Sequence, residues 1–114
     1  MPFINVHIGK KLTDAQKEEL AAMIASHMPI LPGKTRDNTL IEISSGRDMF
    51  MGGEKRELIF VDMRVMKASP YEAKDEFVAT LSAEFAAMLG IPVERQYYNI
   101  LEMQEWGARG HLNR

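Results

Sequence analysis

Cysteine is missing from the chain altogether, which excludes disulfides, thiolate nucleophiles and sulfur-ligated metals and permits a reducing compartment. Missing too is an excess of one charge. The 14 basic and 16 acidic residues leave a formal net charge of −2, mixed along the chain with no basic stripe of the kind that phosphate backbones require, so no nucleic-acid partner is expected. Histidine is scarce: His7, His27 and His111 have no metal-ligand spacing, and no metal site is expected. His27 reads as a favourable dipole partner at a helix C-terminus. No stretch resembles a signal peptide or a membrane span, which makes a cytoplasmic location the expectation, with no membrane role. Gly52-Gly53 lacks the strand-to-helix setting of a phosphate loop and reads as a turn.

What is present is 46% hydrophobic residues in 114, enough for one domain with a modest core. Phe3 to Ile8 alternates Ile4, Val6 and Ile8 against Phe3, Asn5 and His7, the period of a strand. Thr13-Asp14-Ala15-Gln16 is a capping box, and Leu20, Met23, Ile24 and Met28 recur at helical spacing until Pro29. After a rigid connector through Gly33, Thr39 to Ser45 reads as a second strand with Ile41 and Ile43 on one face. Gly46 to Lys55 reads as a loop.

Leu58 to Met66 is the longest predicted strand. Ser69-Pro70-Tyr71-Glu72 combines an N-cap serine, a proline at the first helical position and a capping glutamate. Phe77, Leu81, Phe85 and Met88 form the stripe of the helix that follows. Gly90 and Pro92 end it, and Gln96 to Met103 returns as a strand. Nine methionines suit adaptable core packing.

Each half is therefore β-α-β, with pseudo-repeats at 2–45 and 57–104. The fold class expected is α+β: a four-stranded mixed sheet with both helices on one face, because the crossovers are right-handed. A sheet carrying Ile4, Val6, Ile41, Ile43, Val61 and Val65 is expected to bury its second face against other subunits.

The candidate site begins at Met1-Pro2. If Met1 is trimmed, Pro2 becomes a free secondary amine; an α-amino group has a pKa of about 7.7–8.0, and an apolar wall lowers it further. Such an amine is a general base at neutral pH. The same proline equally suits the first position of a strand, where its missing N–H costs nothing.

Further residues carry a resemblance: Met1-Pro2-Phe3-Ile4, Gly33-Lys34, Asp48-Met49-Phe50-Met51-Gly52-Gly53, Leu89-Gly90-Ile91-Pro92, Arg95-Gln96-Tyr97-Tyr98-Asn99 and Trp106-Gly107. Through them nearly the whole chain resembles the tautomerase superfamily, in particular the macrophage migration inhibitory factor (MIF) and phenylpyruvate tautomerase group. The resemblance implies a homotrimer in which three sheets form a barrel wrapped by helices. It implies cofactor-free keto–enol tautomerisation of a small α-keto acid such as phenylpyruvate, with Met1 removed and the Pro2 amine catalytic.

The same resemblance assigns Lys34 to the substrate carboxylate and to developing enolate charge. It assigns the Met66 backbone N–H to a substrate contact, and brings Tyr97 and Asn99 to the site from a neighbouring subunit or as its wall. Two-residue spacing puts Tyr97 and Asn99 on one strand face and Tyr98 on the other. A structural role for the Tyr97 hydroxyl stays open. Arg64 and Lys67 are candidates for a second anionic anchor, or solvated charges at a strand end. Asn38 stands where cytokine-like members carry an aromatic residue, implying a more polar pocket. Trp106 is either a pocket wall or a subunit contact, and Leu58 and Val61 replace the Cys-x-x-Cys of the vertebrate cytokine.

Two alternatives accompany this reading. Hydratase, decarboxylase or dehalogenase chemistry calls for extra arginine anchors and a water-activating carboxylate, where this chain offers Met66 and Ser69. A cytokine-like binding protein would keep the fold with vestigial activity.

Overall fold

The structure, a computed structural model, describes residues 1–114. In chain order the elements are β1 (Pro2–Ile8), α1 (Asp14–His27), β2 (Leu40–Ser44), β3 (Phe50–Met51), β4 (Glu54–Lys55), β5 (Ile59–Met66), α2 (Tyr71–Leu89), β6 (Gln96–Met103), β7 (Trp106–Ala108) and β8 (His111–Asn113). The main sheet has the order β2-β1-β5-β6. Its outer pairs, β1 with β2 and β5 with β6, are parallel, and its central pair, β1 with β5, is antiparallel. Two β-α-β halves thus meet at the middle of one mixed sheet.

Alternation along the strands decides where the core lies. Ile4, Val6 and Ile8 of β1 and Ile59, Val61, Met63 and Val65 of β5 are buried together with Leu20 and Ile24 of α1 and Phe77, Leu81 and Phe85 of α2. Both helices therefore cover the same face. The argument from the sequence for a second apolar face needs correction, because Ile4, Val6, Val61 and Val65 are all buried on the helix side and Ile41 and Ile43 pack against that same core. The uncovered face is mixed: Phe3, Asn5 and His7 alternate with Asp62, Arg64, Tyr97, Asn99 and Leu101 through the strand register.

The caps explain the helix ends. Thr13 Oγ1 accepts the Gln16 N–H at 3.1 Å and Gln16 Oε1 accepts the Thr13 N–H at 2.9 Å, closing the capping box at the start of α1. The start of α2 differs from expectation. Pro70, at φ −58° and ψ 146°, is itself the N-cap, and the helix begins at Tyr71 with no side-chain cap. Ser69 lies one residue outside; its N–H donates to Glu102 Oε2 at 2.7 Å, which holds the segment extended. At the other end Gly90 takes the left-handed conformation at φ 70°, and Lys10 Nζ donates to the Leu89 carbonyl at 2.8 Å. His27, the last residue of α1, stands 3.3 Å from Glu84 of α2.

Two hairpins were not foreseen. Gly52-Gly53 does turn, but between paired strands β3 and β4, with φ of 60° and 79°. After Trp106 the chain forms the hairpin β7–β8 around Arg109-Gly110, at φ 55° and 80°. Two consecutive residues of positive φ are what the twist of a two-residue hairpin favours.

Candidate active site

The site is built at the end of the sheet where β1 starts. Pro2 pairs with Val65 of β5, and Val65 pairs with Glu102 of β6, so these three residues form one row across the sheet. Pro2 is buried. Lys34 arrives from a turn after α1, where Gly33 at φ 76° reverses the chain and the Lys34 N–H donates to the Leu31 carbonyl at 3.0 Å. Its Nζ donates to the Met66 carbonyl at 3.0 Å. Met66 adjoins Val65, the partner of Pro2, and so the ammonium of Lys34 is delivered to the N-terminus.

That proximity has an electrostatic signature. The N-terminal amine on Met1 is held below its ordinary pKa, chiefly by burial and further by the positive charge of Lys34. Both effects disfavour the ammonium form.

A cleft of about 360 Å³ opens beside Met1, lined by Asn38, Ala108, Arg109, His111 and Asn113. Asn38 ends the short helical turn Arg36–Asn38, and the parallel register of Phe3 with Leu40 places it beside the N-terminus. The other four come from the C-terminal hairpin. None of these four was singled out as a site residue from the sequence; the one signal available was Gly110, a turn residue between two short segments. The lining contains cationic and neutral polar groups and no carboxylate, an arrangement suited to an anionic ligand next to a weakly basic amine.

The remaining candidates fall elsewhere in one chain. Trp106 and Arg64 line a second cleft, of about 390 Å³, with Phe3, Leu40, Met103, Glu105 and Gly107. Arg64 lies there because it pairs with Phe3 on the uncovered face. Lys67 is exposed and left-handed at φ 69°, and its N–H donates to the Met103 carbonyl at 2.7 Å. Met66 offers its carbonyl to Lys34, whereas the sequence reading had singled out its N–H.

Tyr97 and Asn99 share a face, and Tyr98 faces α2, where its hydroxyl meets Ser82 Oγ at 3.0 Å. Within one chain, however, Tyr97 pairs with Phe60, the partner of His7, toward the far end of the sheet from Pro2, and Asn99 pairs with Asp62, the partner of Asn5, near its middle. Tyr97 is five residues from Glu102, roughly 16 Å at about 3.3 Å per residue. Its hydroxyl donates to the Glu94 carbonyl at 3.3 Å.

Glu102 is a further residue that the sequence did not mark. Its carboxylate accepts the Ser69 N–H at 2.7 Å and the Lys74 ammonium at 2.9 Å. These bonds, Ser69 first, hold its pKa below the usual carboxylate value, and the charge of Lys34 adds to the effect. No cluster of three or more metal-ligating side chains occurs, and no helix is long and apolar enough to cross a membrane.

No family model and no curated protein matches the chain in sequence. Solved structures do match its fold. MIF2 of Leishmania major superposes with a TM-score of 0.90 at 19% identity, over 99% of this chain and 97% of that one. The F6 fused 4-OT wild-type asymmetric trimer gives 0.82 at 17% identity, over 96% and 94%. Pt0534 inactivated by 2-oxo-3-pentynoate gives 0.78 at 13% identity, over 89% and 85%. At these identities the likeness establishes the fold: two helices on a four-stranded mixed sheet, shared with MIF-like and tautomerase proteins.

Proposed function

We propose that this protein, with the fold of the tautomerase superfamily and a resemblance to its MIF-like members, is a cofactor-free keto–enol tautomerase of small α-keto acids, with phenylpyruvate as an accessible substrate. Residues 1–114 act as one catalytic domain, with Met1 removed and the Pro2 amine as general base and acid. The observation that carries this reading is that Lys34 donates to the carbonyl of Met66, next to Val65, the partner of Pro2, with the amine on Met1 held below its ordinary pKa by burial and by that lysine. A small α-keto acid also inactivates Pt0534, which shares the fold.

In the enol-to-keto direction the Pro2 nitrogen takes the enol hydroxyl proton. The oxygen electron pair forms the carbonyl, and the former double-bond electrons take a proton at C3 from the Pro2 ammonium. Lys34 holds the substrate carboxylate and offsets charge on the enolate oxygen. Proton transfer by a positioned group of this kind is worth about 10²–10⁴-fold. The assembly is a homotrimer, in which Tyr97 and Asn99 of a neighbouring copy complete the wall. Its location is cytoplasmic, in keeping with a chain that has no cysteine. Hydratase or dehalogenase chemistry is disfavoured by the lack of a carboxylate in the cleft lining.

The test is intact mass followed by enol-to-keto turnover of phenylpyruvate and of a smaller α-keto acid on the same sample. The expected result is a mass lacking Met1 with turnover. Extending the mature chain by one residue ahead of Pro2 should lower that turnover by about 10²–10⁴-fold. Turnover that survives the extension removes Pro2 as the base, and a trimmed chain without turnover points to a binding protein.

A further inference from the structure

The site lysine is held by a peptide whose other side is tied to β6. Lys34 Nζ donates to the Met66 carbonyl at 3.0 Å, and the N–H of the same peptide, that of Lys67, donates to the Met103 carbonyl at 2.7 Å. A trans peptide points its N–H and its C=O in opposite directions. The plane that faces Met103 on one side therefore presents the Met66 oxygen to Lys34 on the other. Whatever fixes that plane also fixes the ammonium.

The turn beyond this peptide does not hold itself. Lys67 lies at φ 69°, a left-handed region where a residue with a Cβ is strained, and such strain persists only where the surroundings over-determine it. The next tether along the chain is the Ser69 N–H, which donates to Glu102 Oε2 at 2.7 Å. The Ser69 hydroxyl adds none, being buried without a hydrogen-bond partner. Glu102 is itself fixed from α2, where Lys74 Nζ donates to its other oxygen at 2.9 Å, leaving Oε2 for Ser69. The strained residue is thus flanked by two short bonds to consecutive residues of β6, Glu102 and Met103. The Ser69 bond is also the largest influence holding the Glu102 pKa down, with the charge of Lys34 among the others.

We propose that Glu102 is a positioning residue for the site: through the Ser69 N–H it holds the strained Lys67 turn, and with it the Met66 carbonyl that aims Lys34. Its oxygen as a hydrogen-bond acceptor carries this role, rather than its charge. The inference rests on the tautomerase reading only for what Lys34 binds, the substrate carboxylate.

Two variants separate the acceptor from the charge, since Glu102→Gln keeps an oxygen for the Ser69 N–H and Glu102→Ala removes it. Crystal structures of the mature full-length proteins read the geometry. Lys34 Nζ should leave the Met66 carbonyl in Glu102→Ala and stay on it in Glu102→Gln, with the sheet unchanged in both. Calorimetric titration with 2-oxopentanoate reads the consequence: binding about tenfold weaker in Glu102→Ala, from one lost charged contact, and within about twofold of wild type in Glu102→Gln. A residue that served stability alone would leave the affinity of the folded protein unmoved. In a Lys34→Met background, Glu102→Ala should change affinity by less than about twofold, because the contact is already gone. The inference is overturned if Lys34 keeps its bond to Met66 in folded Glu102→Ala, if the loss of affinity persists without Lys34, or if Glu102→Gln behaves as Glu102→Ala. A displaced Lys34 with unchanged binding keeps the positioning role of Glu102 and removes Lys34 as the carboxylate anchor, so the two readings fail separately.

Discussion

At the scale of single residues, Lys34 has two effects that experiment can separate. Its Nζ ties the turn after α1 to the Met66 carbonyl, and its charge lowers the basicity of the N-terminal amine. Removing a neighbouring positive charge makes an ammonium easier to form, so Lys34→Met should raise the pKa of the amine. The acidic limb of the kcat/KM profile should then move to higher pH, with KM rising about tenfold from one lost charged contact; an unmoved limb would separate Lys34 from the amine. Glu102 makes a second case. Its folded pKa is depressed, so its contribution is present above the ordinary carboxylate pKa and is lost as pH falls through the folded value. Denaturant unfolding should find Glu102→Gln about 1 kcal/mol less stable at pH 7, after allowance for solvent screening at a partly exposed site. The gap should narrow as pH falls below the ordinary carboxylate pKa. Lys34 was marked through the resemblance that the Gly33-Lys34 pair carries, whereas Glu102 was not, because Ser69 lies 33 positions away in sequence.

At the scale of elements, the helix ends show how local rules and long-range partners divide the work. The capping box of α1 and Gly90 after α2 act through neighbours in sequence and were read directly. The start of α2 was misread by one residue, because Glu102 on another strand captures the Ser69 N–H. A similar long-range partner closes the other end of α2, where Lys10 reaches Leu89 across 79 positions. Lys10→Met removes both a hydrogen bond and a cation at a helix C-terminus, and should cost about 1 kcal/mol, or about 4 °C in Tm by scanning calorimetry. Gly9 sits where β1 leaves the sheet, and an added Cβ would lie 3.0 Å from the Arg56 carbonyl oxygen and 3.2 Å from the Leu58 nitrogen. Both are backbone atoms that cannot swing away, so Gly9→Ala should cost about 1–3 kcal/mol in denaturant unfolding.

At the scale of the whole molecule, one sheet face is sealed by two helices and the other is open. Leu40 is 64% exposed, Leu101 46% and Tyr97 43% in the single chain, among charged neighbours such as Asp62 and Arg64. A mixed surface of this kind resembles a subunit interface more than a second hydrophobic core. Tyr97 and Asn99 lie five and three residues along β6 from Glu102, which stands in the row of Pro2, and this keeps them out of their own chain's site. Sedimentation should therefore find a trimer. Leu101→Asp, on the open face and away from the helix-covered core, should shift the population to monomer with an unchanged far-ultraviolet spectrum. Turnover should fall with the trimer, and a fully active monomer would remove the neighbour's contribution to the site.

Residue pattern alone determined the six principal elements and the face on which Tyr97 and Asn99 lie, which follow from periods of two and 3.6 and from caps and turns that act within a few residues; Pro2 and Lys34 came together as candidates through the resemblance to the MIF group. Only the tertiary structure decided that Ile4, Val6, Ile41, Ile43, Val61 and Val65 share one face, since the phase of one strand against another is set by register and not by composition. It also decided that Ala108, Arg109, His111 and Asn113 of the C-terminal hairpin line the cleft at Met1, while Trp106 of the same hairpin lines the second cleft. A strand of three residues has too little periodicity to be read alone, and a cleft is a property of segments that meet in space after the chain has folded.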